Sequence, residues 1–119
     1  MTNGTAHAHI EGYNNSITSG DKSHVEGAGN TLTSSTFCHI EGNANTISDS
    51  SSYSHAEGDT NTITGHSSFS HAEGYNNTIS SPSATSSSTT YSLYSHIEGM
   101  NNKIQDSEIS HAEGKNNTI

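Results

Sequence analysis

A histidine and a glutamate separated by one residue recur seven times in this chain, each time within the tetrapeptide His-x-Glu-Gly. The seven pairs are His9/Glu11, His24/Glu26, His39/Glu41, His55/Glu57, His71/Glu73, His96/Glu98 and His111/Glu113. Imidazoles and carboxylates this close in sequence are suited to acid–base catalysis, metal ligation or ion pairing. Serine directly precedes most of these histidines, which raises a Ser-His-Glu hydrolase as one interpretation. Such a hydrolase needs one unique geometry with an oxyanion pocket. Seven equivalent copies make no such pocket, so we expect a protein without enzyme activity and without a cofactor.

Metal binding is the second interpretation, because His and a carboxylate at positions i and i+2 of a strand are able to ligate zinc. His7 and His9 would put two imidazoles on one strand face, and chains packed around a common axis would surround an ion there. The simpler alternative is that each histidine meets a glutamate of a neighbouring chain. We therefore assign no metal and keep His7/His9 as the one axial alternative.

The His-Glu pairs belong to a longer repeat whose steps are 15, 15, 16, 16, 25 and 15 residues. Six residues after each His stands an asparagine: Asn15, Asn30, Asn45, Asn61, Asn77, Asn102 and Asn117. Two residues later stands an aliphatic: Ile17, Leu32, Ile47, Ile63, Ile79, Ile104 and Ile119. A composition with only 26% hydrophobic residues resembles disorder. Columns held in register over seven copies indicate a solenoid instead.

Two stretches of each copy follow the alternation of a strand. The first runs from two residues before the His to the Glu, and the second from the Asn to about four residues on. The glycine after Glu and the Asn/Ser clusters are expected to form the turns. We predict an all-β parallel solenoid, or β-roll, of seven coils of ~15 residues, stacked ~4.8 Å apart. It spans residues 7–119 after an N-terminal segment, residues 1–6. The residues flanking each His, with the Asn and aliphatic columns, fill the interior.

The outer face of the first strand carries His and Glu, and a bulkier column lies two residues before the His. Its aromatic members are Phe37, Tyr53, Phe69 and Tyr94. One interpretation is a solvent-exposed ladder of ion pairs. We favour a face that packs on other subunits, because one coil stack this polar buries little apolar area. The seven His-Glu pairs and the four aromatic residues are therefore assigned to a subunit interface.

The repeat resembles the YadA-like head of trimeric autotransporter adhesins and the SHAEG variant found in phage and viral fibre proteins. Ser70-His71-Ala72-Glu73-Gly74 aligns with the family's Ser-Val-Ala-Ile-Gly, so that His71 and Glu73 take the two positions that face neighbouring chains. The resemblance implies a left-handed β-roll in a homotrimer. It also implies a structural or attachment role as a head or shaft segment of a virion fibre or surface adhesin. The location would be the virion surface or the cell exterior.

Charge restricts the partners of the chain. A net charge of −9 argues against nucleic acid and anionic membranes, and no apolar run is long enough for membrane insertion. The polar start MTNGTAHAHIEG lacks the pattern of a signal peptide, which favours a viral fibre over an autotransporter. The expected partners are other copies of the chain and a receptor or glycan on a host surface.

An insertion of roughly ten residues lengthens the step between His71 and His96. We place it as a loop at about residues 81–93. It is either a tolerated insertion or a receptor-binding loop, because long loops often carry function. The candidate receptor residues are Ser81, Thr90, Tyr91 and Leu93.

The second strand supports a different class of function. Its outer positions read Thr31/Thr33 and Thr62/Thr64, with Ser16/Thr18, Thr46/Ser48 and Thr78/Ser80 as weaker versions. Flat threonine ladders on 15-residue coils resemble insect antifreeze solenoids, so ice binding is the alternative function. Lys103/Gln105 interrupts the array, and threonine is common at outward positions of any strand.

The pH response of the histidines has two opposing causes. An adjacent carboxylate raises the pKa of a histidine, whereas burial lowers it. If pairing dominates, we expect trimer stability to peak in mildly acidic solution and to decline on both sides. The residue pattern leaves the direction open.

Overall fold

The computed structural model describes residues 6–82 and 91–119, and its regular structure in these ranges is β-strand alone. Two parallel sheets alternate along the chain. The first sheet contains β1 (His9–Tyr13), β3 (His24–Ala28), β5 (His39–Asn43), β7 (His55–Asp59), β9 (His71–Tyr75), β11 (His96–Met100) and β13 (His111–Lys115). The second sheet contains β2 (Ser16–Thr18), β4 (Thr31–Thr33), β6 (Thr46–Ile47), β8 (Thr62–Thr64), β10 (Thr78–Ser80) and β12 (Lys103–Gln105).

Each strand pairs in parallel with the equivalent strand of the next coil, so the chain is a β-solenoid of about six turns. The register aligns equivalent residues of successive repeats, as in β7 and β9, where His55 lies opposite His71 and Glu57 opposite Glu73. The predicted parallel β-solenoid is confirmed. No helix of the described ranges is long and apolar enough to cross a membrane.

The interior columns lie where the sequence pattern placed them. The buried apolar residues include Val25, Leu32, Ile40, Ile47, Ala56, Ile63, Ala72, Ile79, Ile97 and Ile104, each with no more than 1% of its surface exposed. Since side chains alternate between the two faces of a strand, the residue after each histidine points inward and the histidine points outward. The core is consequently a thin apolar layer between the two sheets.

A buried asparagine ladder runs beside this apolar layer. In the middle coil, Asn61 Nδ2 donates to the Glu57 carbonyl at 2.6 Å and to the Gly74 carbonyl of the next coil at 2.8 Å. Its Oδ1 accepts from the Asn77 backbone N–H at 3.0 Å. The same three contacts recur at Asn30, Asn45 and Asn77. The buried amide is thus paired as a buried polar group must be, and it joins neighbouring coils.

The strand boundaries differ from the sequence-based prediction. The first strand of each coil begins at the histidine itself, because the bulky residue two positions earlier lies in a turn with left-handed φ, such as 57° at Phe37 and 57° at Tyr53. At the other end the strand continues two residues past the glutamate. The glycine after Glu therefore lies inside a strand and not in a turn, and the turn follows at positions such as Asn76 (φ 53°).

A serine ladder forms a further interior column that the sequence analysis missed. It consists of Ser35, Ser51, Ser67, Ser81, Ser92 and Ser107. The Ser51 N–H donates to Ser35 Oγ and the Ser67 N–H to Ser51 Oγ, each at 3.0 Å. The available signal was a serine four residues before five of the seven histidines.

The serine ladder also sets the limits of the insertion. Ser81 and Ser92 are both buried in it, and the Ser92 N–H donates to Ser81 Oγ. The ten residues 82–91 therefore account for the difference between the 25-residue step and a 15-residue coil. The two buried serines bracket the insertion within the predicted limits of about 81–93, and Ser81 has 1% of its surface exposed. Thr90 lies outside the described residues, whereas Tyr91 and Leu93 are partly buried.

Candidate functional site

The seven histidines form one column of rings along the outside of the first sheet. Between His39, His55, His71 and His96 the successive ring centroids are 4.7, 4.7 and 4.8 Å apart, and the interplanar angles are 5°, 1° and 3°. Towards the start of the chain the rings are tilted, by 37° between His24 and His39. Parallel in-register pairing puts equivalent side chains one strand spacing apart, which produces this stacking.

Each glutamate of the repeat lies beside the histidine of its own strand. The Nε2–Oε2 distances are between 3.5 and 4.0 Å in six of the seven repeats, and His96/Glu98 is the repeat without such a pair among the described residues. Both partners are partly exposed, and exposed ion pairs stabilise a fold by under ~1 kcal/mol. The contacts seen are therefore within one strand, and the predicted pairing with glutamates of neighbouring chains stays a prediction.

Most of the glutamate column is exposed on the single chain, and its assignment to a subunit interface stays a prediction. The exposed members are Glu11, Glu26, Glu41, Glu98 and Glu113. Exposure is greatest at the two ends, at 68% of the Glu11 side chain and 73% of the Glu113 side chain against 46% for Glu57, because an end coil has a neighbour on one side only. His9 and His111 are exposed in the same two coils. One solenoid therefore does not provide the burial that the interface assignment of these residues requires, and other chains would have to supply it.

Four imidazole nitrogens of the histidine column are covered without a hydrogen-bond partner among the described residues. They are the Nε2 atoms of His24, His55, His71 and His96. At His55 and His71 the Oε2 atoms of the neighbouring glutamates are 3.7 and 3.8 Å away, too far for a hydrogen bond. Covered polar atoms normally have a partner, so this face of the solenoid lacks contacts that its side chains are able to make.

The aromatic column runs parallel to the histidine column. Phe37, Tyr53, Phe69 and Tyr94 stack with centroid distances of 4.7, 4.9 and 5.1 Å. Their side chains remain 44% to 58% exposed, because the left-handed turn points them away from the core. Lys22 extends the column at one end, with its Nζ 5.0 Å from the Phe37 ring centroid. Together the two columns form a continuous surface, which we call the ring face.

Burial decides the charge state of the central histidines. It lowers the pKa of His55 and His71, and the neighbouring imidazoles lower the pKa of each further because a second positive charge in the stack repels the first. Glu57 and Glu41 raise the pKa of His55, and Glu73, Glu57 and Glu98 raise that of His71, but by less. The neutral imidazole is thus favoured in the folded chain.

We expect the folded chain to lose stability on acidification. When the pKa of a histidine is lower in the folded chain than its unfolded value of ~6.5, the fold has its full stability at pH values above ~6.5. The free energy of unfolding then decreases as the pH falls through the folded pKa. The melting temperature should therefore be constant near pH 8 and fall between about pH 7 and pH 5. The peak in mildly acidic solution, expected if pairing dominated, does not follow from these two residues.

Thermal melts followed by circular dichroism across this pH range provide the measurement. The double variant His55→Gln, His71→Gln is the control, since glutamine does not titrate, and its melting temperature should depend less on pH. A wild-type melting temperature that rises on acidification from about pH 7.5 to pH 5.5 would show that pairing outweighs burial.

The alternative metal site does not have the strand geometry assigned to it. His7 lies in the turn before β1, with φ 62°, and its Nδ1 is 3.8 Å from the Asp21 carboxylate. It therefore does not share a strand face with His9. In residues 6–82 and 91–119, no group of three or more His, Cys, Asp or Glu side chains is arranged to hold a metal ion.

The threonine array lies on the opposite sheet. Thr31, Thr46, Thr62 and Thr78 are aligned in one column by the parallel register of β4, β6, β8 and β10. The second column is less regular. Ser80 is buried, and Gln105 stands opposite it in β12. The predicted alignment is present, but an unbroken run of four threonines occurs in its first column alone, between Ser16 and Lys103.

Known proteins add no assignment to these surfaces. Comparison with models of protein families and with curated proteins gave no match to the chain. The resemblance to YadA-like heads consequently rests on the repeated motif alone, and functional conclusions rest on the geometry of the ring face.

Proposed function

We propose that this chain is a non-catalytic segment of a homotrimeric virion fibre or surface adhesin, exposed on the virion or outside the cell. Its role is to space and present an attachment surface, with the seven repeats wound as left-handed coils. The observation that carries the proposal is the ring face, where exposed aromatic rings lie beside covered imidazole nitrogens without partners among the described residues.

The aromatic column favours a protein partner along the whole solenoid. A row of half-exposed rings is an apolar patch, and contiguous apolar patches on soluble proteins mark interaction surfaces. Ile109, with 78% of its surface exposed, extends the row beyond Tyr94. A partner that covers the row must itself be extended and must repeat with the coil spacing.

A second copy of the chain has the chemistry that the ring face requires. The chain contains three Lys or Arg residues against twelve Asp or Glu, so its abundant potential cations are its own histidines. The exposed glutamate column of one chain would lie against the histidine column of the next and offer acceptors to imidazole N–H groups on its ring face. A head-to-tail contact closes into a ring when the rotation between neighbouring chains allows it, and a ring of three agrees with the resemblance.

The native mass of the protein tests the proposal. We expect a trimer for the wild-type chain and dissociation for the double variant Tyr53→Asp, Phe69→Asp, which places charges within the proposed interface. Aspartate tolerates the left-handed turn at these positions better than most residues do. The measurement is native mass spectrometry or light scattering, with circular dichroism to confirm the fold.

A matched control is available on the same sheet. Tyr13 and Tyr75 are also exposed, at 72% and 48%, but they lie at the other end of their strands. The variant Tyr13→Asp, Tyr75→Asp should remain trimeric. A monomeric wild-type protein at high concentration, or a trimer that tolerates the Tyr53/Phe69 change, would contradict the proposed interface.

Ice binding remains the second candidate function because of the aligned column Thr31, Thr46, Thr62 and Thr78. It requires that the second sheet be flat and exposed to water. Thermal hysteresis and faceted ice crystals would support it. A concentrated solution without thermal hysteresis and without faceted ice crystals would rule out ice binding.

A further inference from the structure

Three consecutive coils are longer than 15 residues, and all three have their additional residues at the same corner, the turn that follows the second-sheet strand. The coils that begin at His39 and His55 have 16 residues, and the coil that begins at His71 has 25. The additional residue follows the second-sheet strand, where Asp49/Ser50 and Gly65/His66 are consecutive pairs with left-handed φ. The 15-residue coils have one such residue there, such as Ser34. The ten-residue insertion begins at the same corner, after Ser81.

These three neighbouring corners enclose a cleft of about 480 Å³. Its lining includes Asp49, Thr64, His66, Ser81 and Pro82. The volume lies in the range of small-molecule sites. The cleft lies at the turn that follows the second-sheet strands, whereas the aromatic rings of the ring face lie in the turn that precedes the first-sheet strands.

Hydroxyl groups hold the Asp49 carboxylate in place. Its Oδ2 accepts from Thr64 Oγ1 at 2.6 Å and from Ser48 Oγ at 3.3 Å, and the two hydroxyl oxygens are 3.0 Å apart. A carboxylate offers roughly four acceptor positions, so Asp49 retains capacity for donors from a ligand. Within the described residues, no Lys, Arg or His nitrogen lies within ion-pair distance of it.

The His66 side chain completes the lining of the cleft. Its Nδ1 is covered and has no hydrogen-bond partner among the described residues. The Tyr91 ring lies beside His66, with 6.0 Å between the ring centroids, and is not part of the lining. A carboxylate, hydroxyls and an imidazole ring therefore line one recess.

We propose that this cleft binds a neutral saccharide of one or two sugar units through Asp49 and Thr64, with the His66 ring against the sugar ring. Sugar hydroxyls are donors that a fixed carboxylate accepts, and the apolar face of a sugar suits an aromatic neighbour. An acidic sugar is disfavoured, because it would meet Asp49 on a chain of net charge −9. This inference rests on the attachment role proposed above and identifies its ligand class and site.

Saturation-transfer NMR on the whole chain in its native oligomer tests this site. The probes are glucose, galactose, mannose and N-acetylglucosamine, with N-acetylneuraminic acid as the acidic comparison. At least one neutral sugar should bind, and Asp49→Asn should weaken that binding at least about tenfold, since hydrogen bonds to charged groups contribute ~1.5–3 kcal/mol. The matched control is Asp59→Asn, which removes the same charge at the end of β7 and should leave binding unchanged.

A deletion of residues 82–91 is the second variant. It joins Ser81 to Ser92 and restores a 15-residue coil like that of Ser34 and Ser35, so the fold should persist while sugar binding is lost. Binding of the acidic sugar alone, binding insensitive to Asp49→Asn, or no binding of any neutral probe would overturn the proposal. A trimer that binds no sugar would contradict the proposed sugar site but not the proposed trimer. A monomer that binds sugar would contradict the proposed trimer but not the sugar site.

Discussion

Replacing Gly58 by alanine is expected to unfold the solenoid. A Cβ atom at this position would overlap the Gly74 carbonyl oxygen of the next coil and lie 3.0 Å from the carbonyl carbon. That carbonyl cannot move away freely, because it also accepts from Asn61 Nδ2. The φ of +106° is itself unfavourable for alanine. Backbone strain and overpacking together should cost at least about 3 kcal/mol.

Gly29→Ala is the matched control for this substitution. Gly29 also has a left-handed φ, of +68°, but its Cβ would meet no atom closer than 3.9 Å. The equivalent turn position holds alanine in the next coil, at Ala44. We expect Gly29→Ala to change stability by less than about 1 kcal/mol. Urea unfolding followed by circular dichroism measures both variants, and similar midpoints for the two would contradict the close contact between coils.

Replacing Asn61 by leucine is expected to have a comparable effect without any steric overlap. The two side chains are similar in size, so the change removes hydrogen bonds more than volume. It leaves the Glu57 and Gly74 carbonyls without the amide donor and the Asn77 N–H without its acceptor. Each buried group left unpaired costs about 1–3 kcal/mol, so we expect a loss of at least about 3 kcal/mol.

Asn43→Leu provides the same chemical change at an exposed site. Asn43 ends β5, and equivalent positions in other coils hold Tyr13, Ala28, Tyr75 and Met100. The control should therefore remain near wild-type stability. Unfolding midpoints in urea distinguish the two asparagines, and an Asn61→Leu variant as stable as Asn43→Leu would show that the ladder is not needed for folding.

Both substitutions act on contacts between coils, and those contacts also govern the surfaces proposed for function. In a solenoid each coil contacts only its neighbours, so stability is roughly a sum over adjacent interfaces. A break at Gly58 or Asn61 would separate the coils that carry His55 and His71. The ring face and the cleft would then lose their register together, which links attachment to the integrity of the stack.

The sequence alone determined the parallel solenoid and the residues of its interior. Identical repeats pair most simply in register, and alternation along a strand sends neighbouring residues to opposite faces. The spacing therefore placed Ile63 and Asn61 inside and His55 and Glu57 outside. The serine ladder followed the same logic and was readable from a serine four residues before most histidines.

The strand limits depended on the tertiary structure. A left-handed φ at Phe37, Tyr53 or Phe69 is locally unfavourable for a bulky residue, so no propensity predicts a turn there. The hydrogen bonds of these turns run between coils: the Phe37 N–H donates to the Asp21 carbonyl at 3.1 Å, and the Tyr53 N–H to the Thr36 carbonyl at 2.9 Å. Closing the coil onto its neighbour compensates for the local cost.

The functional surfaces were also determined in part by the sequence and in part by the tertiary structure. The sequence determined that the histidines lie in one outward column, but the direction of the pKa shift at His55 and His71 required their burial and ring distances. It showed that the coil lengths vary, but not that Asp49, His66 and Ser81 meet in one cleft. Those residues are 15 or more positions apart, and only the stacking of coils, which places equivalent corners side by side, brings their side chains together.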